Sequence, residues 1–140
     1  MTTETLVSHP PRTLLRTCLW LAQSALAFFL FWGAWMKLGM PVEDAAKMAP
    51  WVAVHPGLAK FTGVVDLLGG LGIVLPALLR IRPGLSVLAA LGIIVLQVLA
   101  MGFHLSRGET MVLPMNLVLL ALAAFVLWGR TRALPFVAAR

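Results

Sequence analysis

Four stretches of this chain are nearly free of charge and about as long as a membrane-crossing helix, and no other feature narrows its fold so far. Crossing about 30 Å of hydrocarbon takes roughly 20 apolar residues in a helix. Thr17 to Met36 has no charged residue, Phe61 to Leu79 has only Asp66, Pro83 to Phe103 has none, and Met111 to Gly129 has none, with Asn116 as its one amide. A segment in lipid has to satisfy its own backbone polar groups, and these runs lack the alternation of barrel strands, so each reads as a helix. The expected fold is all-α, an integral membrane four-helix bundle with spans at about 15–38, 60–80, 83–105 and 112–129 in a single transmembrane domain, 1–140.

Composition excludes the alternative of a water-soluble core. Of the 140 residues, 61% are hydrophobic and 11% charged, against about 45–50% and about 25% in a soluble domain. The 11 Lys and Arg against 5 Asp and Glu lie mostly beside the apolar runs, which is membrane topology rather than a nucleic-acid surface. Membrane lipid is the expected partner, and nucleic acid is not. One cysteine, Cys18, rules out an intramolecular disulfide, a dithiol redox pair or a cysteine-based zinc site within the chain. Ala25-Leu26-Ala27 faintly imitates a signal-peptidase site, but the apolar run continues through Met36, so the first span is read as uncleaved.

Proline and glycine agree with these boundaries: Gly39 and Pro41 follow span one, Arg80-Ile81-Arg82-Pro83-Gly84 forms a tight turn, Gly108 follows span three, and Pro114 suits the first turn of span four. Pro76 lies inside span two and is expected to kink it unless a neighbour compensates. Segment 39–60 is read as a structured outer loop with a short surface helix, in which Glu43 and Lys47 are spaced to pair and Trp51 suits the headgroup interface. Arg12, Arg16, Arg80, Arg82, Arg130, Arg132 and Arg140 fall on one side, and Lys37, Lys47, Lys60 and Arg107 on the other. The positive-inside rule then puts an N-terminal segment, 1–13, and a tail, 130–140, in the cytoplasm.

The unusual polar residues gather near the outer face, one per span. Lys37 ends span one, Asp66 lies about 7–8 Å into span two at 1.5 Å per residue, His104 ends span three, and Asn116 enters about one turn into span four. A carboxylate in a span costs about 2.5–3.5 kcal/mol even on lenient scales and needs a partner. Gly63, Gly69 and Gly70 leave the Asp66 face bare for a neighbouring helix, and Lys37, beside Gly33 and Ala34, is its natural counter-ion. The pair is either a structural lock between helices or part of a ligand or proton site. Gln97 lies seven residues before His104 on one stripe, and an imidazole beside a carboxylate can relay protons. His104 is the one histidine read as bordering a span, which argues against haem, and no metal site is expected. Trp35, with Phe28, Phe29, Phe31 and Trp32, either stacks on a planar ring such as a quinone or anchors at the interface. Arg107 and Glu109 form a polar rim within reach of His104, His55 is read as solvated, and Gln23 and Ser24 as helix-to-helix hydrogen-bonding groups.

The Gly33-Ala34-Trp35-Met36-Lys37 end of span one, the Gly63 to Gly72 run with Asp66 and Leu75-Pro76, and Ala100-Met101-Gly102-Phe103-His104 followed by Arg107-Gly108-Glu109 and Asn116 together resemble the DoxX and DoxX-like family of small bacterial membrane proteins, over roughly Leu14 to Gly129. The resemblance implies a four-helix membrane bundle tied to redox chemistry: some relatives are subunits of thiosulfate:quinone oxidoreductases, and others associate with detoxifying and sulfur-transfer enzymes. It also implies that Lys37, Asp66, His104 and Asn116 are the recurrent polar positions. Two departures, Asp66 where the family usually has Glu and a basic rather than acidic Gly-rich tail, bring the chain nearer the DoxX-like branch. Three functions stand open. One is a quinone-linked redox subunit in which Asp66 and His104 handle protons while Lys37, Asn116, Gln97 and Trp35 hold the ligand, with quinone as its non-covalent cofactor. Another is a non-catalytic anchor for a soluble redox or sulfur-transfer enzyme. The last is a small proton-coupled transporter, disfavoured because span one has no carboxylate. The glycine faces suit helix contacts within one chain or in a homo-oligomer.

Overall fold

The computed structural model describes residues 12–135. Within them are four long helices, α1 (Arg12–Leu38), α4 (Pro56–Leu79), α5 (Gly84–Ser106) and α6 (Leu113–Trp128), with two short ones, α2 (Val42–Met48) and α3 (Trp51–Val54), in the first connection. No strand occurs among the described residues. With its flanking turns the last long helix extends from Thr110 to Ala133, and all four are long and apolar enough to cross a membrane. The principal contacts close a ring: α1 on α4, α4 on α5, α5 on α6 and α6 on α1. Its seam is built from Leu26, Leu30, Ile73, Ile93, Ala123 and Val126, all nearly inaccessible. Large side chains also cover the outside, Leu21 at 65% exposure and Leu99 at 66%, which in this setting is the surface offered to lipid.

Helix α4 runs unbroken through Pro76 and stops one turn later, so the hydrogen bond that proline cannot donate is lost near the helix end. Arg80 and Arg82 then turn the chain with φ of 53° and 40°, the left-handed region that non-glycine residues rarely adopt, which is how so few residues reverse the direction of the backbone.

Three expectations are corrected here. Lys47 pairs with Asp44 at 2.6 Å and not with Glu43; in a helix of seven residues the i,i+3 partner is as near as the i,i+4 one. Trp51 is buried with Ala45, Val52 and Ala59 in a small second core beneath the first connection, rather than resting at a headgroup surface, because α2 and α3 fold back over the bundle mouth. The last helix does not end at 129: it continues as a π-helical turn, Gly129–Ala133, in which Arg130 is 5% exposed. Segment 1–11, residues 136–140 and with them Arg140 lie outside the described residues.

Candidate functional site

Close approach of α1 and α4 creates the site. A Cβ on Gly33 would lie 2.8 Å from the Asp66 carboxylate, and one on Gly63 would lie 3.0 Å from the Lys37 Cβ. Only hydrogen at those two positions lets the carboxylate of α4 and the lysine of α1 share one level. Lys37 Nζ donates to Asp66 Oδ2 at 2.6 Å, with the two side chains 14% and 7% exposed. The expected counter-ion is therefore in place.

The pair opens onto a cavity of about 710 Å³ at the end of the bundle covered by α2 and α3, termed outer, and the opposite end inner, after the orientation expected from the sequence. Lys37, Asp66, Gln97, His104 and Asn116, five polar residues from four helices, line it together with the aromatic walls Phe29, Trp32, Trp51 and Phe103. Periodicity explains the selection: 29, 33, 36 and 37 share one face of α1, and 97, 100 and 104 one face of α5. Trp35 is the ligand-binding candidate that does not fit. At 100° per residue it is turned about 200° from Gly33, and it is 53% exposed, its ring tilted against Trp32 at 5.3 Å and outside the cavity lining. Trp32 is the tryptophan of that pair that reaches the cavity.

The polar groups divide into partnered and unpartnered. His104 Nδ1 lies 2.7 Å from Glu109 Oε2, and Arg107 Nε donates to Glu109 Oε1 at 2.9 Å. The hydrogen bond from His104, and then that from Arg107, holds the Glu109 carboxyl below the ordinary carboxylate range. An ionised carboxylate only accepts, so His104 carries a proton on Nδ1 and donates it to Glu109. The ring is held edge-on to Trp51 at 6.2 Å. By contrast, Gln97 Oε1 and Asn116 Nδ2 are buried with no hydrogen-bond partner. Buried amides without partners are uncommon because each costs about 1–3 kcal/mol, and here one acceptor and one donor border the same cavity.

Arg107 and Glu109 lie outside the cavity lining and reach it through His104, which Glu109 contacts directly. His55 joins them, 3.4 Å from Arg107 Nη1, and since α4 starts at Pro56 it borders a span, so His104 is not alone in doing so. Sequence reasoning missed Trp51 and Phe103 as cavity walls; their rings meet at 5.6 Å, and the Pro50-Trp51-Val52 order after a short helix was the available signal. Gln23 does bond across helices, donating to the Ile73 carbonyl at 2.6 Å, while Ser24 is exposed. No group of three or more metal-ligating side chains is found among the described residues.

No curated protein and no solved structure gives a significant match. The model of the DoxX-like family matches residues 21–126, a stretch that takes in all the cavity-lining polar residues from Lys37 to Asn116. With four membrane-length helices and that match, the chain is a multi-pass membrane protein and belongs to the DoxX-like family.

Proposed function

We propose that the cavity binds a membrane quinone and exchanges protons with it, making this chain a quinone-linked redox subunit of the bacterial inner membrane. The observation that carries the reading is the pair of buried, unpartnered amides at Gln97 and Asn116, which share an apolar, aromatic-walled cavity with an ion pair and an imidazole. A planar ring bearing hydrogen-bonding oxygens satisfies both kinds of wall at once. Reducing a quinone to its quinol takes two electrons and two protons. The two protons come from water: the Asp66 carboxylate and the His104 imidazole each take one up and pass it to a ring oxygen, the imidazole's proton entering past the Glu109 carboxylate bonded to it. Lys37 offsets negative charge that develops on a ring oxygen. The electrons come from a reduced co-substrate or a soluble partner enzyme. The positive-inside rule supports cytoplasmic termini and an outward-facing cavity, the more so because Lys37 and Arg107, two basic residues on the outer side, are both engaged by carboxylates.

Binding of a quinone to the purified protein, followed by quenching of the cavity tryptophans, tests the reading directly. Wild type is expected to bind, and Asp66→Asn and His104→Ala, with folding intact, are expected to lose proton-coupled turnover with a reductant. Retention of turnover in both overturns the reading. The anchor function is the second reading, supported by Met111, 92% exposed in the turn before α6; it gains if a soluble partner still assembles with both variants.

A further inference from the structure

On the inner side of the polar cavity lies a second hollow of about 570 Å³ between α4 and α5, bordered by apolar residues alone. It adjoins the first: Leu96 lines both, and the next residue, Gln97, carries the orphaned amide oxygen at 4% exposure. The deep side is tight. A Cβ at Gly72 would lie 3.0 Å from the Ala89 Cβ, and one at Gly69 3.3 Å from Ile93, so the two helices touch there and nothing passes through. The face at Gly92 is open, since a Cβ there meets nothing within 4 Å. From Leu85 to Leu96 the groove runs for about 16 Å along α5 at 1.5 Å per residue, roughly half of the 30 Å hydrocarbon layer. That is a slot for a chain, with no polar side chain to receive a headgroup.

We infer that the α4–α5 groove seats the hydrocarbon tail of the molecule whose oxygens the cavity holds, so that the ligand is an amphipathic lipid quinone with its ring at Gln97 and Asn116 and its isoprenoid chain passing Leu96 toward Leu85. This rests on the quinone reading and adds the seat of the tail: the α4–α5 groove in preference to bulk lipid. A tail lying on protein rather than in bulk lipid retains the ring by the added burial of its first units, and Gly92 leaves it room.

The test compares a quinone bearing a long isoprenoid chain with its tail-less ring analogue, on the full-length protein in nanodiscs. Affinities are expressed per mole of lipid, so that partition into the bilayer cancels, and are read from quenching of the cavity tryptophans. Wild type is expected to bind the tailed molecule about tenfold more tightly. Gly92→Phe fills the groove and is expected to erase that preference while leaving tail-less binding unchanged. Should Gly92→Phe fail to fold, a tailed quinone carrying a diazirine at the end of its chain gives an independent readout in wild type: crosslinks at 79–88 are expected. Equal affinities in wild type, or crosslinks spread over the lipid-facing surface, overturn the tail seat but leave the quinone reading standing. Failure of both molecules to bind wild type overturns both. If Gly92→Phe keeps the preference and instead changes the oligomeric mass, the groove is an interface between copies and the inference is wrong.

Discussion

The two ends of the bundle solve one problem in opposite ways. At the inner end, Gln23 of α1 donates to the Ile73 carbonyl of α4 at 2.6 Å and accepts from Arg130 Nε at 2.8 Å, while the Arg130 guanidinium lies 5.5 Å over the Trp20 ring. Gln23 is fully buried and both ends of its amide are satisfied. The outer end also links α1 to α4, through Lys37 and Asp66, but it surrounds them with a cavity whose two amides bond to nothing. A saturated polar cluster acts as a rivet, whereas an unsaturated one facing a cavity is a binding surface. The comparison therefore predicts that chemically similar substitutions at the two ends have opposite consequences.

The largest effect is expected at the rivet. Gln23→Leu removes an acceptor from a buried guanidinium and the donor to a backbone carbonyl, and losing both hydrogen bonds costs about 2.5–4 kcal/mol. Unfolding titrations in detergent should show that loss, with ligand affinity unchanged in the protein that remains folded. A loss under about 1 kcal/mol would mean that the inner cluster does not hold the bundle together.

Next in size is the outer ion pair, replaced as a unit. Substituting both partners, Lys37→Met with Asp66→Leu, removes two buried charges and their desolvation together, so stability should stay level or rise by up to about 1–4 kcal/mol. Quinone turnover should disappear. If the double variant keeps turnover, Lys37 and Asp66 are a helix lock and the two ends are alike after all.

The sharpest contrast is glutamine against glutamine. Gln97→Leu exchanges an unsatisfied buried amide for an apolar side chain of similar size and should raise stability by about 1 kcal/mol, the reverse in sign of Gln23→Leu. Quinone affinity should fall about tenfold as the ring loses a hydrogen bond. Destabilisation of Gln97→Leu comparable to that of Gln23→Leu would show that its amide is already satisfied in the folded protein.

How far these two ends were legible in the sequence follows from the same physics. The spans could be read because hydrocarbon excludes charge over a fixed length, and the helices fall within a few residues of the expected bounds. Lys37 and Asp66 could be paired because a carboxylate in a span demands a partner and the glycines around both showed where helices meet. Arg130 could not be placed, since a basic residue just after an apolar run looks the same whether it faces cytoplasm or turns back to Gln23, 107 positions earlier. Trp35 and Trp32 were indistinguishable for a related reason: composition marks an aromatic cluster, but the rotation of α1 that turns one ring to the cavity and the other to lipid is fixed by packing at Gly33 and Gly63. The unpartnered state of Gln97 and Asn116 is a property of tertiary geometry, and no spacing announces it.

The smallest expected effect probes the rim that joins the outer end to water. Glu109 is held ionised by His104 and Arg107, so its pKa is lower in the folded protein than in the unfolded chain, where it is near 4.3. A group depressed on folding contributes stability that is fully present above its unfolded pKa and is lost as pH falls through its folded value. The outer cap should therefore loosen in acid, below about pH 4, as the carboxyl takes up a proton and releases the imidazole. Trp51 reports the change, because its ring stands edge-on to His104. In Glu109→Gln this component of the acid transition should be missing, since the amide does not titrate, while the inner end provides the control: neither the Gln23 amide nor a guanidinium changes charge in that range. An acid transition of Trp51 that is identical in wild type and Glu109→Gln would show that the carboxylate does not hold the imidazole, and the route proposed for renewing its proton would have to start elsewhere.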